Sequence, residues 1–144
     1  MANKPADILK RIKDEEIEWV DVRFTDPRGA WHHLTMCSSV IGGDELTDGL
    51  MFDGSSIEGW KAINDSDLLM IPDPTTACLD PFCAVPTMSL VGTVVDPITR
   101  EPYDRDPRFV AQKAEKYLQS TKIGDASYWG PEAEFFIFDQ VRYD

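Results

Sequence analysis

An α+β fold is what this sequence predicts, and three features carry the expectation. Residues 18–36 alternate apolar and polar side chains on either side of Asp26-Pro27-Arg28-Gly29, the pattern of a β-hairpin. Further strand-length apolar runs follow between 67 and 96, set off by prolines. Helical spacing occurs at Ala6–Glu16 and again from Asp106 to about Ser120.

Taken in order, Ala6 to Glu16 places Ile8, Leu9 and Ile12 on one face and Asp7, Lys10, Arg11, Lys13 and Asp14 on the other, as a helix covering a sheet does. From Glu18 to Thr25, Trp19, Asp21 and Arg23 oppose Val20, Val22 and Phe24, and Ala30 to Met36 returns as the second strand. His32 and His33 are adjacent in that strand and point to opposite faces, so one ion cannot easily take both. They read as solvated or core histidines. Ser38 to Leu50 carries turn and short-helix signals, broken at Gly42-Gly43 and Gly49.

Met51-Phe52-Asp53-Gly54-Ser55-Ser56-Ile57-Glu58-Gly59-Trp60 comes next. Its centre offers a pliable backbone, one carboxylate and two hydroxyls, and its apolar residues can anchor it. By itself it fits a surface turn or a loop that approaches a polar ligand. Leu68-Leu69-Met70-Ile71 is a short run ended by Pro72-Asp73-Pro74, and Thr75–Phe82 and Thr87–Asp96 read as further strands. Pro97 to Pro107 has the prolines and alternating charges of a connector. Asp106 before Pro107 starts a helix with Phe109, Val110, Lys113, Ala114, Tyr117 and Leu118 at helical spacing. Arg105 and Arg108 read as charge partners of nearby Asp.

The chain ends on Gly130-Pro131-Glu132-Ala133-Glu134-Phe135-Phe136-Ile137-Phe138-Asp139 and a short tail. The stretch after Gly-Pro reads as a strand, with Glu132, Glu134, Phe136 and Phe138 on one face and Ala133, Phe135 and Ile137 on the other. The two carboxylates then point the same way, their Cβ atoms ~6.6 Å apart at a rise of ~3.3 Å per residue. Apolar residues on both faces imply a strand buried on both sides. Two like charges there are costly unless cations neutralise them, and Mg²⁺ or Mn²⁺ takes carboxylate oxygens. The alternative is an ordinary strand whose two Glu sit at a solvated rim.

The composition narrows the partners. A formal charge of −12 over 144 residues argues against nucleic acid and against anionic membrane, both of which are bound through Lys and Arg clusters. No apolar run approaches the ~20 residues that span a bilayer. The N-terminal stretch lacks the hydrophobic core of a signal peptide. Cys37, Cys78 and Cys83 are odd in number and lack C-x-x-C spacing, as expected of reduced thiols in a cytoplasmic protein.

Three motifs together resemble bacterial type I glutamine synthetases: Met51–Trp60 their signature loop, Tyr103-Asp104-Arg105-Asp106-Pro107-Arg108 the entry to their catalytic domain, and Gly130–Phe136 their first metal-binding strand. The resemblance runs over essentially the whole chain. One departure is Ala133, where some members carry proline. The other is length, since the family's chain continues for several hundred residues. The resemblance implies a ubiquitin-like β-grasp N-terminal domain over 1–102, followed over 103–144 by the first helix and strand of a catalytic domain. It implies ATP-dependent joining of L-glutamate and ammonium through γ-glutamyl phosphate. Asp53 would hold ammonium and help deprotonate it, with Ser56 beside it. Glu134 would ligate the ion nearer glutamate and Glu132 the ion nearer the phosphates, the metal being Mg²⁺ or Mn²⁺. It also implies a homo-oligomer of two six-membered rings, in which the loop serves the neighbouring subunit. The 144 residues alone would be inactive. Two other readings remain in view: a γ-glutamyl ligase using an organic amine, disfavoured by the intact Phe52–Ser56 loop, and a β-grasp binding module without chemistry, which would leave the paired Glu unexplained.

Overall fold

The computed structural model describes residues 4–143. The chain divides into two compact units after Lys113. The first opens with α1 (Pro5–Asp14), capped by Asp7, whose carboxylate accepts the Lys4 backbone N–H at 2.8 Å. Proline at the first helical position and an acid in the first turn suit a helix start. Ile8 is fully buried and Leu9 and Ile12 pack against the core, so the predicted apolar face is the one that covers the sheet.

Five strands follow: β1 (Trp19–Thr25), β2 (Trp31–Cys37), β3 (Leu50–Asp53), β4 (Asp67–Leu79) and β5 (Thr87–Val95), with a short helix α2 (Gly43–Thr47) between β2 and β3. They form one sheet in the order β2-β1-β5-β4-β3. β1 pairs antiparallel with β2, Val22 opposite Leu34, and parallel with β5, Val22 opposite Leu90. β4 pairs antiparallel with both β5 and β3. The core beneath α1 holds Val20, Val22, Leu68, Met70, Met88, Leu90 and Val94, each at most 1 % exposed. The predicted hairpin forms as expected. A mixed sheet with a central parallel pair and a helix across it is the β-grasp arrangement.

One strand differs from the sequence reading. Pro72-Asp73-Pro74 does not end β4, which runs on to Leu79 with an irregularity between Asp73 and Cys78. The pairing of β4 with β3 stops at Met70, so both prolines lie where one side of β4 is an edge. There a missing N–H breaks no ladder on that side.

α3 (Pro107–Thr121) begins where Asp106 predicts. Asp106 is fully buried, and its carboxylate accepts the backbone N–H groups of Val94 and Arg108, both at 2.9 Å. Burial pushes this carboxyl up, and those amide hydrogen bonds oppose the shift. Arg108 pairs with Asp73, as charge pairing with an Asp predicts, although the partner lies 35 residues away.

The second unit holds the remainder of α3 and residues 122–143. The strand predicted across 132–139 does not form. Residues 130–143 lie outside the sheet, and Glu132, Glu134 and the aromatic residues around them are exposed rather than buried on both sides. A strand's N–H and C=O groups need a neighbour, and apolar residues on two faces need cover on both. No strand among the described residues pairs with this one. The side alternation persists locally: the rings of Phe136 and Phe138 stand 6.1 Å apart. Among the described residues no helix is long and apolar enough to cross a membrane.

Gly92 makes the tightest crossing in the sheet. A Cβ there would lie 2.3 Å from Met70 Cγ and 3.2 Å from Val22 Cγ1. Gly92→Ala is therefore expected to lower the urea midpoint of the 144-residue chain, by about 1–3 kcal/mol of stability. An unchanged midpoint would show that the β4–β5 contact gives way freely.

A candidate active-site loop

β3 delivers Asp53 to the sheet edge, opposite Asp67 of β4. The chain then turns through Gly54–Ser56, a single turn of 3₁₀-helix. Asp53 Oδ1 accepts the Ser55 backbone N–H at 2.8 Å and the Ser55 hydroxyl at 2.6 Å. The Ser55 hydroxyl first, and the Ser55 amide second, hold this carboxyl below the ordinary aspartate value. Asp53 and Ser56 are both exposed, so the turn presents an ionised carboxylate and a hydroxyl outward.

What lies beneath the turn is closely packed. The Gly54 N–H donates to Ser66 O at 2.7 Å, and a Cβ on Gly54 would meet Leu68 Cδ1 at 2.5 Å, so only glycine lets the backbone lie this near β4. Ile57 and Trp60 are buried and Phe52 is half-buried, so three of the four predicted apolar anchors serve as anchors. The fourth, Met51, is exposed. Trp60 packs in an aromatic cluster with Phe24 (5.4 Å between ring centroids), Phe52 (6.1 Å) and Tyr103 (5.4 Å). The carbonyls of Gly59 and Trp60 both accept from Arg105, and that of Trp60 also accepts from the Tyr103 hydroxyl. Arg105 thus goes to backbone oxygens, not to the Asp that charge alone suggests.

The structure also brings to this place two residues that the sequence reading set aside. β2 and β3 occupy opposite edges of the sheet, yet the sheet curls enough that they share a concavity of about 460 Å³. Trp31, His32 and His33 line it together with Phe52, Asp53 and Ser56. His32 stacks on Phe24 and contacts Asp26 through Nε2 at 3.0 Å. Asp26 is 6 % exposed, and the His32 ring first, then the amides of Ala30 and Arg28, hold its carboxyl low. His33 contacts Asp21 through Nδ1 at 2.6 Å. Burial pushes Asp21 up, but hydrogen bonds from Thr35, Arg23 and His33 outweigh it, and the net shift is downward. An ionised carboxylate only accepts, so the partners assign the proton of His32 to Nε2 and that of His33 to Nδ1. The legible signal was the hairpin register, which sets His32 opposite Phe24 and His33 opposite Arg23.

Glu132 and Glu134 are exposed on the irregular segment after α3. Among the described residues no three His, Cys, Asp or Glu side chains converge as a metal site. Cys37, Cys78 and Cys83 are free thiols.

Comparison with known proteins matches two successive parts of the chain. The profile of the glutamine synthetase β-grasp domain matches residues 16–97, and that of the glutamine synthetase catalytic domain matches 104–144. The glutamine synthetase of Bradyrhizobium diazoefficiens is 56 % identical over 137 residues, covering 95 % of this chain and 29 % of its own. That of Nostoc is 55 % identical over 139 residues, covering 96 % and 29 %. That of Frankia alni is 52 % identical over 144 residues, covering 100 % and 30 %. The chain therefore spans less than a third of the length of these relatives. Among solved structures, Plasmodium falciparum glutamine synthetase superposes with a TM-score of 0.74 at 20 % identity, over 82 % of this chain and 23 % of that one. A GmaS–ADP complex gives 0.72 at 22 %, over 80 % and 26 %. These two likenesses concern the fold.

The Ser55 contacts carry a testable consequence. Ser55→Ala removes the hydroxyl donor and keeps the amide, so the Asp53 carboxyl is expected to titrate closer to the ordinary aspartate value. The stability linked to Asp53 is complete above its unfolded-state pKa and is lost as pH falls through the folded value, so in the variant that loss should be smaller and should end at a higher pH. Carboxyl carbon NMR across pH 2–6 reads both, and identical titrations would show that the hydroxyl does not hold the charge.

Proposed function

The chain belongs to the glutamine synthetase family, and from that premise we propose that it forms part of an ATP-dependent glutamate–ammonia ligase. Its homologues are glutamine synthetases, which makes the parent a ligase. The observation that carries the finer reading is Asp53: an exposed carboxylate, held ionised by Ser55, on a loop whose apolar side is buried.

In this reading the side-chain carboxylate of L-glutamate attacks the γ-phosphorus of ATP and ADP leaves, giving γ-glutamyl phosphate. A free carboxylate is a poor acyl donor, and phosphorylation supplies the leaving group. Ammonium binds against the Asp53 carboxylate and passes it a proton. The resulting ammonia attacks the acyl carbon and phosphate leaves, while the Ser56 hydroxyl beside Asp53 offers a further polar contact to the nitrogen. The arrangement is pre-organised, because Ser55 has already fixed the carboxylate before any ligand arrives.

The family also implies divalent ions. Glu132 and Glu134 have the right donor chemistry, hard carboxylate oxygens free of other partners among the described residues. They would supply part of a six-oxygen shell, and the rest would come from other groups and water. An ion held there would offset charge on the transferring phosphoryl group. By resemblance Glu134 faces the glutamate side and Glu132 the phosphate side. The further proposals are a division of the chain at 102/103, supported by family matches that leave a gap between 97 and 104, and a cytoplasmic location, supported by three free thiols. The assembly is a head-to-tail ring of six, doubled, in which each loop serves the next subunit.

Two outcomes test this. The isolated 144-residue chain is expected to make no glutamine from glutamate, ammonia and ATP, and a steady ATP-dependent yield would refute the assignment of the remaining machinery elsewhere. In the full-length parent, Asp53→Asn should raise the ammonium KM and cut turnover to a low residual level, and Glu134→Gln should abolish activity, while refolded equal mixtures regain about one site in four, because a working site needs a good loop and a good metal face from different subunits. Mixtures as inactive as either parent would place Asp53 within its own subunit or outside catalysis.

A further inference from the structure

We infer that Tyr103 and Arg105 are positioning residues for the ammonium loop: they clasp its far end by the carbonyls of Gly59 and Trp60, and so set where Asp53 and Ser56 stand. The inference rests on the reading of Asp53 as the ammonium-binding group.

Besides the exposed Arg28–Glu58 ion pair, the loop is tied at two places. Near its start, Gly54 bonds to Ser66 across the turn. At its far end the Tyr103 hydroxyl donates to Trp60 O at 2.8 Å and Arg105 Nη1 donates to the same oxygen at 3.0 Å and to Gly59 O. Two donors on one carbonyl oxygen use both of its lone pairs. Nothing else polar holds Trp60 by its side chain: the residue is 4 % exposed and its indole N–H has no hydrogen-bond partner. The ring is thus set by packing, against Phe24, Phe52 and, edge-to-face at 69°, Tyr103 itself. Gly59, just before it, sits at φ +82°, a left-handed turn with open space around its Cα. Without the clasp, the only backbone bond spanning that glycine is the one the Trp60 N–H donates to Ile57 O at 3.1 Å.

The clasp is itself anchored. The Tyr103 N–H donates to Val94 O at 2.9 Å, Pro102 bridges Val95, and the Asp106 N–H donates to Tyr103 O at 3.0 Å. Lys61 places its ammonium 6.0 Å from the centre of the Tyr103 ring, on the side chain's face. Tyr103 and Arg105 therefore transmit the position of β5 and of the start of α3 to the loop. The sequence reading placed these two residues in the second domain, so the segment that opens that domain would hold the first domain's catalytic loop. If the clasp is lost, only a fraction of loops stand in the binding geometry. Apparent ammonium affinity falls by that fraction, while sites for the other substrates are untouched.

The experiment uses the full-length parent. Tyr103→Phe keeps the ring and deletes one donor; Arg105→Gln deletes the guanidinium. Each is expected to raise the ammonium KM about 3–10-fold while the glutamate and ATP KM values stay within about 2-fold. In an Asp53→Asn background the same changes should add nothing further, since a residue acting through Asp53 cannot act without it. Amide hydrogen exchange in the 144-residue chain supplies a readout independent of activity: residues 54–60 should exchange faster in both variants, with β1 and β5 unchanged. The clasp is refuted if all three KM values rise together, if exchange at 54–60 does not change, or if the effects are additive with Asp53→Asn. If Asp53→Asn itself leaves the ammonium KM unchanged, the reading of Asp53 fails, and the exchange data still decide whether the clasp exists.

Discussion

The parallel pairing of β1 with β5 is the constraint on which the other parts depend. Parallel neighbours cannot be joined by a tight turn, so the chain must leave β1 and come back around. Residues 26–86 are that excursion, and they contain β2, α2, β3, the Asp53 loop and β4. Once β1 and β5 are side by side, β2 can close only on the outer edge of β1 and β4 only on the far side of β5. β3 then becomes the opposite edge, which leaves the turn after it free to face outward. The outward-facing Asp53 turn thus follows from the buried central pairing.

Three buried carboxylates hold this arrangement together by accepting several hydrogen bonds each. Asp21 ties β1 to β2 through Thr35 and His33, and Arg23 extends the link to Asp80. Asp26 closes the hairpin turn onto its own amides and onto His32. Asp106 fastens the connector to β5 through the Val94 N–H, which lies beyond the reach of β1. Burying a carboxylate is costly unless donors compensate it. At Asp21 and Asp26 the donors win and the carboxyls are shifted down, whereas at Asp106 burial wins and the shift is upward. An acidic chain therefore uses part of its negative charge inside, where it organises backbone, and leaves Asp53 and the Glu132–Glu134 pair outside, where charge is available to ligands.

Much of this could be read from the residues alone. The hairpin, the apolar face of α1, the start of α3 after Asp106 and the apolar anchors Ile57 and Trp60 all show in spacing and residue type, although what Trp60 packs against lies far along the chain. Three things escaped that reading. The chain passes straight through Pro72 and Pro74, since whether a proline breaks a ladder depends on which strand lies alongside. His32 and His33 belong to the loop's concavity only because the sheet curls. The strand expected at Glu132–Asp139 does not form, since its faces and its backbone both need partners that are not among the described residues.

By itself, then, the sequence determined the local periods, the turn at Asp26–Gly29, the family and which groups are candidates to carry chemistry. Those are properties of a residue and its near neighbours, and they persist whatever the chain packs against. The tertiary structure alone decided which carboxylates are buried, that Asp53 shares a concavity with histidines of the opposite sheet edge, and that Tyr103 and Arg105 reach back more than forty residues to the loop. These depend on strand order and curl, which arise from burying the two central strands and are encoded in no single segment.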